Sequence, residues 1–411
     1  MARIRTFRSG RPPKALAARV ASVPYDVVDT REARALAAGN SVSFLHVCRP
    51  EIDLPETTDI HADEVYAKGR ENLDRFFADG TLVEDPVPRL LVYRQTWRGR
   101  SQDGFVAACS VDDYDADVIR KHEKTRRDKE DDRVRHLLAQ SAHAEPVFLT
   151  YRAVDAIDAR IASVTARPAE FDFEAPDSVR HTLWTVPEAD VAFFLSAFAA
   201  VPLLYVADGH HRCASASRAR AVVREREGGK PLPDDHPVNW FPAAIFPDRQ
   251  LAILPYNRVV KDLNGLSKED FLRRVSERFD VRPAEAPEPR LRGTFALYLE
   301  ENWQTITPKE PVAGNDPVSR LDVSILQDRL LSPILGVGDP RTDPRIDFVG
   351  GIRGTKELEE RVRSGRGAVA FAMYPTQISD VMAIADAGVT MPPKSTWFEP
   401  KLRSGLFVHR F

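Results

Sequence analysis

The chain has 411 residues, 43% hydrophobic and 29% charged, the balance of a globular protein rather than a disordered one. Its length calls for two or three packed units, and a formal net charge of −3 leaves no global field to draw it onto nucleic acid or an anionic membrane. Three scattered cysteines, Cys48, Cys109 and Cys213, form no CxxC pair, which excludes a disulfide framework and a thiolate zinc site and fits a reducing, cytoplasmic setting. The opening MARIRTFRSGRPPK has no apolar core, so no signal peptide is expected. Asp29 or Thr30 then caps a helix over 31–38, and an amphipathic helix follows over 62–78. Strands over 90–95 and 105–111 form a hairpin across the polar turn RGRSQDG. The charged segment 120–135 reads as a helix and 147–151 as a buried strand.

The run VAFFLSAFAAVPLLYVA at 191–207 approaches membrane length, but a bilayer span needs about 20 apolar residues, and Ser196 and Pro202 interrupt this one. It reads as a buried helix over 187–200, a turn at Pro202 and a buried strand over 203–207. A polar turn at 208–212 leads into a helix over 213–227, ended by Gly228-Gly229. A second hairpin is expected from 240–246 and 251–254, then a strand over 294–300. The Pro- and charge-rich stretches 284–292 and 308–317 are loops or boundaries. Beyond them come a helix (321–331), a strand near Phe348, a helix (356–363), a strand (368–373), a helix (377–387) and a loop-like tail. Helices and strands interleave with hairpins throughout, so the fold class is α+β or mixed α/β with mixed sheets. The expected division is a main α/β domain over 1–310 and a C-terminal α/β subdomain over 311–411.

The strand-turn-helix VPLLYVA-DGHHR-CASASRARAV carries the strongest chemical signal. A helix start presents backbone N–H groups without internal partners and the positive end of the dipole, so a phosphate is held there. Gly209 admits an oxygen close to the backbone, and Arg212 offers a guanidinium fork. His210 and His211 are adjacent, so no more than one is expected to point into the site. Asp208 either caps the helix or holds a magnesium ion beside the phosphates.

A second signal is Arg120-Lys121-His122-Glu123-Lys124-Thr125. His122 and Glu123 offer bases: Glu123 could deprotonate a substrate hydroxyl while Lys124 neutralises phosphate. Otherwise the segment is a solvated charged face. The turn Pro24-Tyr25-Asp26 and the tail Pro392-Pro393-Lys394-Ser395-Thr396 are further candidates, each weighed against a plain turn or loop. The chain uses 12 Lys against 46 Arg, yet Lys121, Lys124, Lys129, Lys394 and Lys401 fall in two short segments, marking places that need a compact ammonium. No HExxH, GxGxxG or Walker pattern stands where a zinc, dinucleotide or P-loop site would need it.

PYDVV, NSVSFLHVCRPE, HEKT, ADGHHR, ILPYNRVV and MPPKSTWFEPKLRSGL together resemble the domain-of-unknown-function 1015 family over nearly the whole chain. One departure is Asn257, where the family pattern implies His. The DGHHR segment is also similar to the phosphate-binding motif of the ParB and sulfiredoxin-like superfamily, which includes free-serine kinases. That resemblance implies that Gly209, His210, His211 and Arg212 cradle phosphates and that an N-terminal carboxylate, Asp26 or Glu32, acts in catalysis.

The expected function is a small-molecule kinase that uses ATP or ADP with Mg2+ and phosphorylates a hydroxyl such as that of free serine. Glu123 or Asp26 is its base, with His122 beside them, and Lys394 reaches the pocket of Asp208 to Arg212. A nucleotide-binding regulator of ParB-like type and a metal-dependent hydrolase are the alternatives. The net charge and the lack of an evident helix-turn-helix argue against DNA as partner.

Overall fold

The structure is a computed structural model that describes residues 1–312, 314 and 316–411; residues 313 and 315, inside the loop-or-boundary stretch 308–317, lie outside the described residues. The chain forms two compact units, Met1–Leu251 with Pro400–Phe411, and Ala252–Glu399. The expected boundary at 310 therefore falls inside the second unit. The Pro-rich stretches that suggested it are connections within that unit, and the chain returns to the first unit for its final residues.

The first unit is built on a mixed nine-stranded sheet. Its spatial order is Ile119–Arg120, Leu204–Asp208, Val147–Tyr151, Trp240–Pro247, Arg100–Ser110, Leu91–Trp97, Arg180–Thr185 and Phe171–Glu174, with Ile4–Arg5 paired to Arg100–Ser110. Two pairings are parallel, Leu204–Asp208 with Ile119–Arg120 and Trp240–Pro247 with Val147–Tyr151. The hairpin expected from the sequence is present but longer. Its strands meet at Trp97↔Arg100 around Arg98 and Gly99, both at positive φ. Two such residues give a turn whose twist matches the strands, so most of RGRSQDG joins the ladder.

Val147–Tyr151 is buried at every position, as befits a strand with neighbours on both sides. The apolar run at 191–207 is the end of helix Glu188–Ala199 followed by the strand Leu204–Asp208. Phe194 and Phe198, one turn apart on that helix, pack on Phe105 of the sheet at 4.7 and 5.2 Å, the first tilted and the second stacked. No helix among the described residues is long and apolar enough to cross a membrane.

A second apolar cluster gathers residues of the N-terminal helices, including Ala33, Ala37, Leu45, Leu73 and Phe76, around Phe44 and Val408. Helix Thr30–Ala37 carries the expected cap, and Asp29 and Glu32 close a capping box. The C-terminal residues thread into this layer. Gly405, at φ +85°, lies where an added Cβ would come within 2.6 Å of the Phe44 ring. His409 pairs with His143, stacks on it at 6.0 Å and donates from Nε2 to the Pro237 carbonyl at 3.1 Å.

Two expected elements differ. The charged segment 120–135 is not one helix: Ile119–Arg120 is a strand, residues 121–126 are non-helical, and the helix is Arg127–Gln140. Buried Ile119 is committed to the sheet, and side chains from elsewhere hold the backbone after it. Nor do 240–246 and 251–254 pair. Trp240–Pro247 has both edges occupied, by Arg100–Ser110 and Val147–Tyr151, so Ala252–Leu254 pairs instead with Trp397–Glu399 in the second unit.

The second unit carries a six-stranded antiparallel sheet in the order Phe279–Pro283, Asn302–Pro308, Phe295–Leu299, Val369–Met373, Tyr256–Val260 and Ile346–Gly350. Asn257, where the family pattern implied His, is buried and accepts the Met373 backbone N–H at 3.0 Å. Its role here is to hold the sheet.

Burial holds several histidines of the first unit neutral. His409 is pushed down to about 4, chiefly by burial, and His143 and His181 lie well below the ordinary value for the same reason. A His whose folded pKa is depressed stabilises fully above its unfolded value of about 6.5 and loses that contribution as pH falls toward the folded value; for His409 alone this amounts to about 3 kcal/mol. Urea midpoints should therefore drop between pH 7 and 4.5, and His409→Gln, which keeps a donor for Pro237, should flatten part of the drop. Midpoints independent of pH across that window would contradict the assignment.

Candidate functional site

The strand Leu204–Asp208 ends in a register shift at Val206/Asp208 and delivers the chain to Gly209. Gly209, at φ 98° and ψ 30°, is the N-cap, and the helix His210–Arg226 begins three residues earlier than the sequence suggested. That left-handed bend favours a residue without a Cβ. The buried positions of this helix are His210 and Arg212 in its first turn, then the small residues Cys213, Ala214, Ser215, Ala216 and Ala219. The N–H groups of His210, His211 and Arg212, first in the helix, have no helical acceptor.

Asp208 does not cap this helix, since no side chain caps it. Its carboxylate instead pairs with the Lys401 ammonium at 3.0 Å and faces the Arg212 guanidinium at 4.0 Å. Burial would raise the Asp208 pKa, but Lys401 and Arg212 outweigh it and hold the carboxyl far below the usual range. As a magnesium ligand Asp208 therefore fits poorly, because a metal would have to displace a cation already seated there. Among the described residues no group of three or more His, Cys, Asp or Glu is arranged to hold a metal ion.

Both histidines of the turn act on the segment 122–126. His210 is buried and its Nε2 accepts the His122 backbone N–H at 3.4 Å; His211 accepts the Arg126 N–H through Nε2 at 3.1 Å. The two rings form a double clamp, one on each end of the loop. With Nε2 accepting, neutral His210 carries its proton on Nδ1, which faces Glu123 Oε2 at 3.8 Å. The His122 ring packs edge-on against His210 at 4.4 Å, and burial pushes it down to about 4. His122 is therefore a buried neutral support, while Glu123 and Lys124 stand exposed.

Arg212 is the buried cation of the site. It donates to the Pro146 carbonyl, and its Nε, lacking a hydrogen-bond partner, lies 3.2 Å from where a Gly209 Cβ would stand. Burial alone would lower its pKa, but Asp26, Asp208 and Glu145 raise it above the ordinary value. Asp26 also acts on His211, so the PYD turn and the DGHHR turn come together. Glu145 accepts from the Tyr25 N–H at 3.2 Å and from Ser404 Oγ at 2.5 Å. The Arg133 guanidinium lies 3.9 Å above the Tyr25 ring. Between Arg133, Glu145 and Arg212 is a cavity of about 40 Å³, room for roughly two or three waters.

Of the residues singled out from the sequence, Asp26, His122, Glu123, Asp208, Gly209, His210, His211 and Arg212 form one neighbourhood. Glu32 is occupied by its capping box. Lys394 belongs to the second unit, with its ammonium 5.4 Å from the Tyr256 ring. Sequence reasoning missed Glu145 and gave no specific role to Arg133 or Lys401: Arg133 stood only among the cations of the charged segment after Arg120, and Lys401 as one of two tail lysines in an Arg-rich chain.

Among solved structures, a conserved hypothetical protein from Pyrococcus furiosus aligns at 15% identity and a TM-score of 0.34, covering 74% of this chain and 95% of that one. A free serine kinase in complex with AMP aligns at 14% identity and a TM-score of 0.34, covering 72% and 86%. SbnI with a C-terminal truncation, from Staphylococcus aureus, aligns at 12% and 0.38, covering 74% and 87%. Likenesses at these TM-scores carry no argument about chemistry. No curated protein matches the sequence. The family described as "Protein of unknown function (DUF1015)" matches residues 4–324, more than half of the sequence, and the chain belongs to that family.

Proposed function

We propose that this protein is a phosphotransferase that seats the phosphates of ATP or ADP on the Gly209 turn and transfers a phosphoryl group to the hydroxyl of a small molecule such as free serine. The observation that carries the reading is Arg212: a buried guanidinium with an unpartnered Nε, aimed at a glycine in the left-handed region, at a helix start whose N–H groups lack acceptors. Lys401 adds a second cation beside it. In this reading DGHHR works as a phosphate cradle of ParB and sulfiredoxin-like type, and the protein acts in the cytoplasm.

Phosphoryl transfer asks mainly for positioning and charge neutralisation. Arg212 and Lys401 neutralise the transferred group, and the helix N–H groups orient it. Glu123, exposed beside His210, takes the proton of the attacking hydroxyl as its oxygen bonds to phosphorus and the bond to the leaving nucleotide breaks. Asp26, in the field of Arg212, is the other carboxylate within reach of this chemistry. No step is assigned to a protein-held metal, because the Asp208 carboxylate is taken up by Lys401.

Two outcomes test the reading. Gly209→Ala places a Cβ beside Arg212 at a strained φ, and should weaken ATP and ADP binding by roughly tenfold or more while the protein stays folded; unchanged nucleotide-induced thermal shifts would remove the cradle. Arg212→Ala is the poorer probe, since it strips a buried cation from three carboxylates and endangers the fold. Glu123→Gln, at an exposed position, should leave nucleotide binding intact and lower phosphotransfer to serine on the order of 10²–10⁴-fold. Binding without turnover in the unmutated protein would favour the regulatory alternative over a kinase.

A further inference from the structure

We propose that the second unit holds an anion site of its own, in which Arg258 and Lys394 together receive a compact oxyanion of the phosphate class. The residues proposed for it all belong to the second unit, and the proposal does not rest on the kinase reading.

Arg258 sits in the strand Tyr256–Val260, opposite Phe348 on one side and Phe371 on the other, and is 3% exposed. Its guanidinium donates to the Tyr256 carbonyl and to the Lys394 carbonyl, the latter at 3.1 Å, and lies 5.4 Å from the Phe348 ring. Among the described residues no carboxylate comes within ion-pairing distance of it. Arg212 and Arg403, also buried, each face one: Asp208 and Asp177. Burial without a counter-ion pulls the Arg258 pKa down to about 9, in a side chain that proteins otherwise keep charged under all ordinary conditions. A buried cation with only carbonyl and ring contacts lacks the charge compensation that such groups usually carry.

The Lys394 turn, whose carbonyl Arg258 holds, carries a second cation beside Tyr256. Lys394 is exposed, takes a left-handed φ of 57°, and its ammonium stands 5.4 Å from the Tyr256 ring. Ser395 Oγ donates to the Pro392 carbonyl at 2.6 Å and Thr376 Oγ1 to the Ser395 carbonyl at 2.7 Å, so the turn is fixed from both ends. Tyr256 packs edge-on against Phe348 and Trp397 at 6.2 and 5.1 Å, a rigid apolar wall beside both cations. An anion oxygen takes over the Arg258 donor now used by the Lys394 carbonyl, and the ammonium closes on the same ligand. A planar fork and a point charge together suit a doubly charged phosphate better than a carboxylate. The two sequence segments that form the site, LPYNR and PPKST, take no part in the proposed phosphate cradle at Gly209.

The test uses the full chain and inorganic phosphate, with chloride at equal ionic strength as control and thermal unfolding as readout. Phosphate should raise the midpoint of the wild type, and Gly209→Ala should retain a phosphate response even where its nucleotide response is lost. Lys394→Ala and Arg258→Lys should weaken that residual response roughly tenfold or more in phosphate concentration. Should Arg258→Lys not fold, Lys394→Ala, an exposed change, decides alone. A wild-type response in the Lys394 variant, or complete loss of response in Gly209→Ala, overturns the second site. Acetate matching phosphate would overturn the phosphate assignment.

Discussion

The first unit's site depends on the burial of one guanidinium. Arg212 lies inside the protein, and a charge there is tolerable only while carboxylates surround it. Asp26 comes from the N-terminal turn, Glu145 from the approach to the strand Val147–Tyr151, and Asp208 from the end of Leu204–Asp208. Ser404 and Lys401, from the returning C-terminus, hold Glu145 and Asp208 in turn. Four separated stretches of sequence are thus tied to one cation, and the bend at Gly209 puts that cation at a helix start rather than in the core.

The histidine pair shows how the same turn organises its surroundings. A single histidine could hold one point of the 122–126 loop and leave it to pivot. Two adjacent rings accept N–H groups four residues apart and fix both ends, so Glu123 is displayed at a set place without a helix beneath it. Burial keeps His210 neutral, which it must be if Nε2 is to accept at all.

Much of this was legible in the sequence, for physical reasons that differ by element. The strand and helix around DGHHR announced themselves through an apolar run broken by polar residues, and the cap at Asp29 or Thr30 through a short polar side chain just before a helical run. The segment after Arg120 was misread because charge composition favours a helix, whereas what decides its conformation is two histidine side chains almost ninety positions away. The second hairpin failed for a similar reason: alternation marks a strand, but not which neighbour already occupies its edges. Lys401 and Glu145 could not be placed because each acts through a partner distant in sequence, and a lone lysine or glutamate carries no local pattern.

The return of Pro400–Phe411 to the first unit has a consequence for biogenesis. On the ribosome, Asp208, Arg212 and Glu145 emerge well before Lys401 and Ser404, with the entire second unit between them. A nascent first unit therefore holds an incomplete charge cluster, and Phe44 waits for the close approach of Gly405. Domains generally fold as units in the order they are made. Here the unit synthesised second is the one able to finish first, and the charge network of the first can close only after it.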